Sequence, residues 1–223
     1  MDIMLIGASG KLGQAIEAAA SGTPYFRIVQ RVTRDNPELR NLDEVDLVLD
    51  VSRPDVLNNN LHKIVLAKKP LVVGTTGHSE LSLKALEEAS KEIPVLYCPN
   101  FAPGISLIKK MLSHLPTTGI KTSIHEVHHT SKKDAPSGTA KDLAIIALTP
   151  DNKISSERIE GIIGEHTIQI ELEDEIIKIS HSALSRNLYA KGAIKACQFL
   201  SNKEKGLYTN FHDEDSQHYL RQR

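Results

Sequence analysis

Seven residues into the chain, an apolar run ends in a turn built almost entirely of small residues. Ile3 to Ile6 reads as a short strand, Gly7-Ala8-Ser9-Gly10-Lys11-Leu12-Gly13 follows at once, and a helical pattern runs from Leu12 to about Ala20. Strand, glycine turn and helix in this order open a dinucleotide-binding unit. The glycines let the backbone approach a pyrophosphate, which sits at the helix N-terminus where N–H groups and the helix dipole favour negative charge. Small residues after a strand also serve plain helix packing, so the pattern gains its weight from its place between strand and helix. Gly7, Ala8, Ser9, Gly10, Lys11, Leu12 and Gly13 are therefore candidate cofactor contacts.

The alternation continues. Phe26 to Val32 reads as a second strand and Val45 to Val51 as a third, bounded by Ser52-Arg-Pro-Asp. Leu57 to Lys68 reads as a helix, and Leu71 to Val73 as a fourth strand ending in Gly74-Thr75-Thr76-Gly77. Glu80 to Lys91 is an amphipathic helix with Ser79 as its cap, and Pro94 to Tyr97 is a fifth strand. Apolar strands alternating with helices predict a parallel sheet covered on both faces. After Asn100 the pattern changes. Helices over Ile105 to Leu115 and Thr139 to Leu148 flank a strand from Ile120 to Val127. Three β-rich stretches follow, Arg158 to Ile163, Thr167 to Glu173 and Ile176 to His181, with a hairpin turn at Glu173-Asp174-Glu175. They predict an antiparallel or mixed sheet. Leu188 to Phe199 is helical again, and the polar tail from Asn202 reads as partly frayed. The expected class is α/β, a doubly wound parallel sheet with a smaller α+β mixed-sheet domain.

The end of the second strand declares the coenzyme, because an acidic residue there holds the ribose diol of NAD. Here Arg31, Thr33 and Arg34 stand first, with Asp35 beyond and Lys11 within reach. Basic groups favour a 2′-phosphate, so NADPH is expected over NADH, with Arg34 as a contact. The bland reading is that Arg31 and Arg34 are solvated loop charges. Gly74, Thr75 and Thr76 lie at a strand's carboxyl end, where doubly wound sheets bind ligands. Pro99, Asn100 and Phe101 hold the same place after the fifth strand, where they serve either the nicotinamide or the domain linker.

The stretch Glu126-Val-His-His-Thr-Ser-Lys-Lys-Asp-Ala-Pro-Ser-Gly-Thr-Ala140 carries the chemistry. Histidine supplies a proton near neutral pH and lysine a fixed positive charge. Ser137-Gly138-Thr139 opening a helix aims backbone N–H groups at an anion. One loop thus holds a proton donor beside a surface for a dicarboxylate or phosphate. A metal site is not expected. His125 and His129 share a strand face but lie ~13 Å apart at ~3.3 Å per residue. No carboxylate or cysteine pair completes a tetrahedral set in the sequence.

Composition narrows the partners. Net charge is −1 and charged residues make up 25%, so no global field draws nucleic acid or a membrane surface. There is no tryptophan and aromatics are 4%, which excludes a base-stacking platform. The two cysteines, Cys98 and Cys197, are far apart and read as reduced thiols rather than a secreted scaffold. Met1-Asp-Ile-Met-Leu-Ile-Gly7 has no basic n-region, and no apolar window approaches eighteen residues. A cytoplasmic location is expected.

These motifs together resemble the 4-hydroxy-tetrahydrodipicolinate reductase (dihydrodipicolinate reductase) family of lysine and diaminopimelate biosynthesis. The resemblance runs nearly end to end. It rests on the glycine turn, Asp50-Val-Ser-Arg-Pro54, Gly74-Thr-Thr-Gly77, Pro99-Asn-Phe-Ala102, the histidine-to-threonine segment, Gly164-Glu-His166 and His181-x-Ala-x-Ser-Arg186 with Ala190-x-Gly-Ala193. It implies a Rossmann domain of residues 1–101 and 187–223 that binds NADPH or NADH. It implies a domain of residues 102–186 that binds substrate and builds a homotetramer. The implied substrate is a cyclic imine dicarboxylate, formed by loss of water from the 4-hydroxy compound and reduced by hydride to tetrahydrodipicolinate. His128 is the implied general acid and Lys132 the implied catalytic lysine. His129, Gly138 and Thr139 are the implied substrate contacts, while Asp134 and Ser137 shape the turn. The chain is short for the family, trimmed between the second and third strands and between Leu148 and Arg158. His78 stands where the family often has an aromatic residue.

Two alternatives remain on sequence grounds. One is another two-domain Rossmann dehydrogenase, acting on aspartate or, with Cys98 as nucleophile, on a semialdehyde. The other is a sensor that binds NADP without turnover.

Overall fold

The computed structural model describes residues 1–211. In chain order the elements are β1 (Asp2–Ile6), α1 (Lys11–Ala20), β2 (Arg27–Val32), β3 (Leu47–Asp50), α2 (Pro54–Leu66), β4 (Leu71–Val73), α3 (Glu80–Ser90) and β5 (Pro94–Tyr97). They continue as α4 (Pro103–Leu112), β6 (Lys121–His128), α5 (Gly138–Ile146), β7 (Ile154–Arg158), β8 (Glu165–Glu171), β9 (Ile176–Ser182), α6 (Asn187–Leu200) and β10 (Gly206–Tyr208). The chain divides into two compact units. One is Met1–Phe101 with the described chain from Tyr189 on, and the other is Ala102–Leu188.

The first unit holds a six-stranded sheet in the order β10-β5-β4-β3-β1-β2, parallel throughout. Its strands are apolar on both sides because both faces are covered. In β1, Ile3 and Leu5 enter one core with Ile16, Ala193 and Cys197, while Met4 and Ile6 enter the other with Leu57, Ile64 and Leu86. Strand order reverses at β1, with β2 on one side and β3 on the other. The carboxyl ends of β1 and β3 therefore form the switch-point crevice of a doubly wound sheet. The anticipated cap of α3 is present, Ser79 Oγ accepting the Ser82 N–H at 3.2 Å.

The second unit is built on a four-stranded mixed sheet, β7-β6-β8-β9. β6 runs parallel to β7 and antiparallel to β8, and β8 runs antiparallel to β9. The β8–β9 hairpin closes where it was expected, Leu172 N–H reaching Glu175 O at 2.9 Å. One face of this sheet is covered. A Cβ on Gly104 would lie 2.8 Å from the His181 ring, so α4 packs directly onto it.

Two sequence expectations are corrected here. The strand anticipated over Arg158 to Ile163 is β7, which ends at Arg158, because Gly161 turns the chain with φ +85°. The tail expected to fray from Asn202 contains β10 as an edge strand and buries Tyr208 and Phe211 in the first unit's core. The rest of that tail, from residue 212 on, lies outside the described residues.

Candidate active site

The site in the second unit is made by strand alternation and register. Side chains two apart on a strand share a face, which puts Glu126 and His128 together on the covered side of β6. Register then carries the row across the sheet: Ser156 on β7, Glu126 on β6, His166 on β8 and His181 on β9 stand opposite one another. One step along, Arg158 faces His128. The histidine rings pack edgewise, with centroids 5.1 Å apart for His128 and His166 and 6.5 Å for His166 and His181.

Glu126 is fully buried, so its carboxylate requires partners. Oε2 pairs with His128 Nδ1, and Oε1 accepts from Arg158 at 3.0 Å and from the Ser137 N–H at 3.2 Å. Burial pushes this carboxyl up. Ser156, whose buried hydroxyl makes no hydrogen bond of standard geometry, Arg158 and His128 together outweigh that push and hold it below the usual range. Burial pulls His128 down, the Glu126 charge partly restores it, and Lys132 and Arg158 oppose protonation. His166 is pushed by burial, then by its charged surroundings, down to about 3, so it is neutral at physiological pH. Burial also lowers His181.

The loop after β6 is held by the same arginine. Arg158 donates to Lys132 O at 3.2 Å and to Asp134 O. Lys132 Nζ pairs with Asp134 at 2.9 Å, and its N–H bonds His129 O at 2.9 Å. Burial would raise the Asp134 carboxyl, but Lys132 holds it below its usual range. His129 Nδ1 accepts the Ser131 N–H at 3.0 Å. Ser137 caps α5 by accepting the Ala140 N–H at 3.1 Å, which places Gly138 and Thr139 in the first turn. The structure thus brings His128, His129, Lys132, Ser137, Gly138 and Thr139 onto one loop and its flanking ends.

Glu126, Arg158 and His166 were not assigned from sequence. The i, i+2 spacing of Glu126 and His128 was the available signal for the first. Arg158 and His166 meet them only through register. Register also sets a carboxylate beside two histidines, neither of them His125 or His129. Donor atoms of Glu126, His128 and His166 lie within 4.8 Å of one another, because alternation hides a carboxylate two residues upstream. Arg158 already occupies the position of countercharge to that carboxylate.

In the first unit the glycine turn fits a pyrophosphate. Gly7 has φ +92°, and a Cβ on Gly13 would lie 2.3 Å from Gly7 O. Gly10 caps α1 without a side-chain bond, and no acid stands in the first turn. Thr76 is exposed, whereas Thr75 is buried and donates to Asp50 at 2.7 Å. Burial drives Asp50 up to about 6 against hydrogen bonds from Ser52 and Thr75. Phe101 is 2% exposed and a Cβ on Gly74 would strike its ring at 2.4 Å, so the Phe101 side chain and Gly74 serve each other's packing. Pro99 and Asn100 are half-buried at the end of β5. Arg31 is taken by Glu17 at 2.5 Å. Arg34 is exposed at the tip of a turn closed by Thr33 and Asn36, and makes no ion pair among the described residues. His78, in place of an aromatic, packs edge-on to Tyr97 at 5.8 Å, and burial lowers its pKa. Cys98 is buried with Sγ 3.1 Å from Asn100 O, a poor position for a nucleophile, and burial pushes the Cys197 thiol up.

A doubly wound sheet with a glycine turn, joined in one chain to a loop that gathers histidines, a lysine and a capped helix start, is the architecture of a two-unit dinucleotide-dependent oxidoreductase. The N-terminal part of dihydrodipicolinate reductase matches residues 1–101 and its C-terminal part residues 104–213. The chain belongs to the dihydrodipicolinate reductase family. It is 35% identical to the 4-hydroxy-tetrahydrodipicolinate reductase of Caldanaerobacter subterraneus subsp. tengcongensis, over 93% of this chain and 95% of that one. It is 36% identical to the protein of the same name from Thermosipho africanus, over 92% and 94%. A dipicolinate-bound dihydrodipicolinate reductase from a Paenisporosarcina species shares the fold, with TM-score 0.73, 21% identity and coverage of 94% and 97%. Among the described residues no helix is long and apolar enough to cross a membrane.

Proposed function

We propose that this chain reduces 4-hydroxy-tetrahydrodipicolinate, by way of the dihydrodipicolinate imine, to tetrahydrodipicolinate in lysine and diaminopimelate biosynthesis. One observation carries the reading. In a chain of this family, His128 is backed by a buried carboxylate and stands on the same loop as Lys132 and the capped turn of α5. A bound nicotinamide coenzyme supplies the hydride. Gly7, Ala8, Ser9, Gly10, Lys11, Leu12 and Gly13 hold its pyrophosphate, and Thr76, Pro99 and Asn100 line the strand ends beside it. His128 gives up a proton as the ring is reduced. Lys132 leaves Asp134 to neutralise substrate charge, and His129 with Gly138 and Thr139 holds the carboxylates.

The preferred coenzyme is NADPH. Arg31 is engaged by Glu17, which favours the exposed Arg34 as the arginine that reads a 2′-phosphate. Arg34→Ala raises KM for NADPH by about tenfold, equivalent to about 1.4 kcal/mol of a charge-assisted contact, and leaves NADH unchanged. Equal effects on the two would place phosphate recognition elsewhere. The reading also includes a cytoplasmic location and a homotetramer, the latter supported by Ile176 and Ile177 of β9, which are 58% and 46% exposed.

The deciding experiment couples the chain to the synthase that makes the substrate from pyruvate and aspartate semialdehyde. NADPH and NADH oxidation are followed in parallel by absorbance. Turnover that requires the synthase is the expected result. Tight coenzyme binding with no turnover would refute the reading in favour of a different substrate or a sensor.

A further inference from the structure

Adjacent imidazoles are interchangeable unless their second nitrogens are held differently, because the partner of one nitrogen fixes which of the two keeps the proton. Here they are held in opposite ways. Oε1 of Glu126 is occupied by Arg158 and the Ser137 N–H, which leaves Oε2 for His128 Nδ1. An ionised carboxylate only accepts, so His128 Nδ1 carries a hydrogen. One residue on, the Ser131 backbone N–H points at His129 Nδ1 at 3.0 Å, and the Ser131 hydroxyl, 2.9 Å from the same nitrogen, is free to donate to it as well. A backbone N–H only donates, so neutral His129 carries its hydrogen on Nε2.

We propose that Glu126, clamped by Arg158, is a positioning residue that locks His128 as the Nδ1–H tautomer and leaves Nε2 as its proton carrier, while Ser131 locks His129 as a fixed Nε2–H donor. The inference rests on the reading of His128 as general acid. It explains why two neighbouring histidines take different work. When His128 Nε2 releases its proton, the ring is left in the neutral form that Glu126 already binds, with no rotation. A proton on His129 Nδ1 would cost the bond from the Ser131 N–H and turn the Ser131 hydroxyl from donor to acceptor. A buried carboxylate orients the histidine of a catalytic triad by the same logic.

The groups facing this pair are Arg158 from β7, His166 from β8, His181 from β9, and Lys132 and Asp134 from the loop. His166 and His181 are disfavoured as cations by burial, so the charges that act on His128 are Glu126, Lys132 and Arg158.

The test is nitrogen-15 NMR of histidine-labelled protein above the His128 titration, with kinetics of two variants. Wild type is expected to show the ring proton on Nδ1 for His128 and on Nε2 for His129. In Glu126→Gln the amide oxygen takes Arg158 and Ser137 and the NH2 faces Nδ1, which turns His128 to Nε2–H. Its kcat falls on the order of 10²- to 10⁴-fold with KM for the substrate little changed. The pH at which the rate declines moves lower, because an anion that favoured imidazolium is gone. Glu126→Asp restores the Nδ1–H signal and part of kcat. An Nε2–H signal for His128 in the wild type would overturn the proposal without any variant. So would Glu126→Gln with normal kcat and pH profile, provided His128→Ala is inactive. If His128→Ala itself turns over normally, the general-acid reading fails, and the nitrogen signals still judge the tautomers.

Discussion

At the scale of single residues, burial and charge act against each other, and the balance has consequences in pH. His128 must be protonated to act as an acid, and burial lowers its pKa below the ordinary 6.5. In the free enzyme kcat/KM therefore declines as pH rises through a midpoint on the acid side of 6.5. His128→Ala loses ~10²- to 10⁴-fold in kcat and keeps its affinity for NADPH in a fluorescence titration. An unchanged kcat would remove the acid role. Asp50 shows the same contest in the first unit. Its folded pKa is raised to about 6 from 3.8, so the native state binds the proton more tightly than the unfolded chain. The stability it contributes is complete below the unfolded value and is lost as pH rises through about 6. The loss is at most ~3 kcal/mol, from ~1.4 kcal/mol per pKa unit. Asp50→Asn should flatten the pH dependence of urea unfolding between pH 4 and 7. Parallel curves for the two proteins would show that Asp50 does not titrate there.

At the scale of elements, the site was legible where it is local and hidden where it depends on register. His128, His129, Lys132 and the capped turn of α5 fall within one short stretch, so residue chemistry marks the stretch, and the family resemblance supplies the role of each residue. Arg158 did not stand out, because Ile154-Ser-Ser-Glu-Arg158 is a half-exposed strand of mostly polar residues. The apolar residues that drew the strand to Arg158 to Ile163 lie partly in the turn at Gly161. Only the parallel pairing of β6 and β7 brings the arginine beside Glu126. Once there, it ties two strands to the Lys132 loop, with bonds to Glu126, Glu157 O, Lys132 O and Asp134 O. Arg158→Met leaves a buried carboxylate without its cation and should cost ~3 kcal/mol in urea unfolding. Arg158→Lys keeps the charge but cannot span the four acceptors, so it should fall between. Lysine equal to arginine would mean that charge alone, and not the guanidinium fork, holds the loop.

At the scale of the whole molecule, the first unit is discontinuous in sequence, and the core beneath its glycine turn depends on residues almost two hundred positions away. The core that receives Ile3, Leu5 and Ile16 also receives Ala190, Ala193, Ala196, Cys197 and Leu200 of α6, and then Tyr208 and Phe211. The helix sits close because Gly192 has no side chain: a Cβ there would lie 1.9 Å from Phe101 O. Its row of small residues was visible in the sequence. The three-residue β10 was not, being too short to stand out from a polar tail. A chain cut after residue 186 keeps every residue of the glycine turn, Arg34 and the Gly74-Thr-Thr-Gly77 turn, but loses α6 and β10 from the core that they share with α1. Removing the large buried side chains Ile194, Leu200, Tyr208 and Phe211, at ~2–5 kcal/mol for each such residue cut to alanine, is comparable to the ~5–15 kcal/mol that holds a domain folded. The truncated chain should bind no NADPH by fluorescence titration and show no cooperative unfolding of the first unit. Restoring the chain through Phe211 should recover both. A 1–186 fragment that binds NADPH like the full chain would mean that β1 to β5 with α1 to α3 fold without α6 and β10, and that the C-terminal return is dispensable for the coenzyme site.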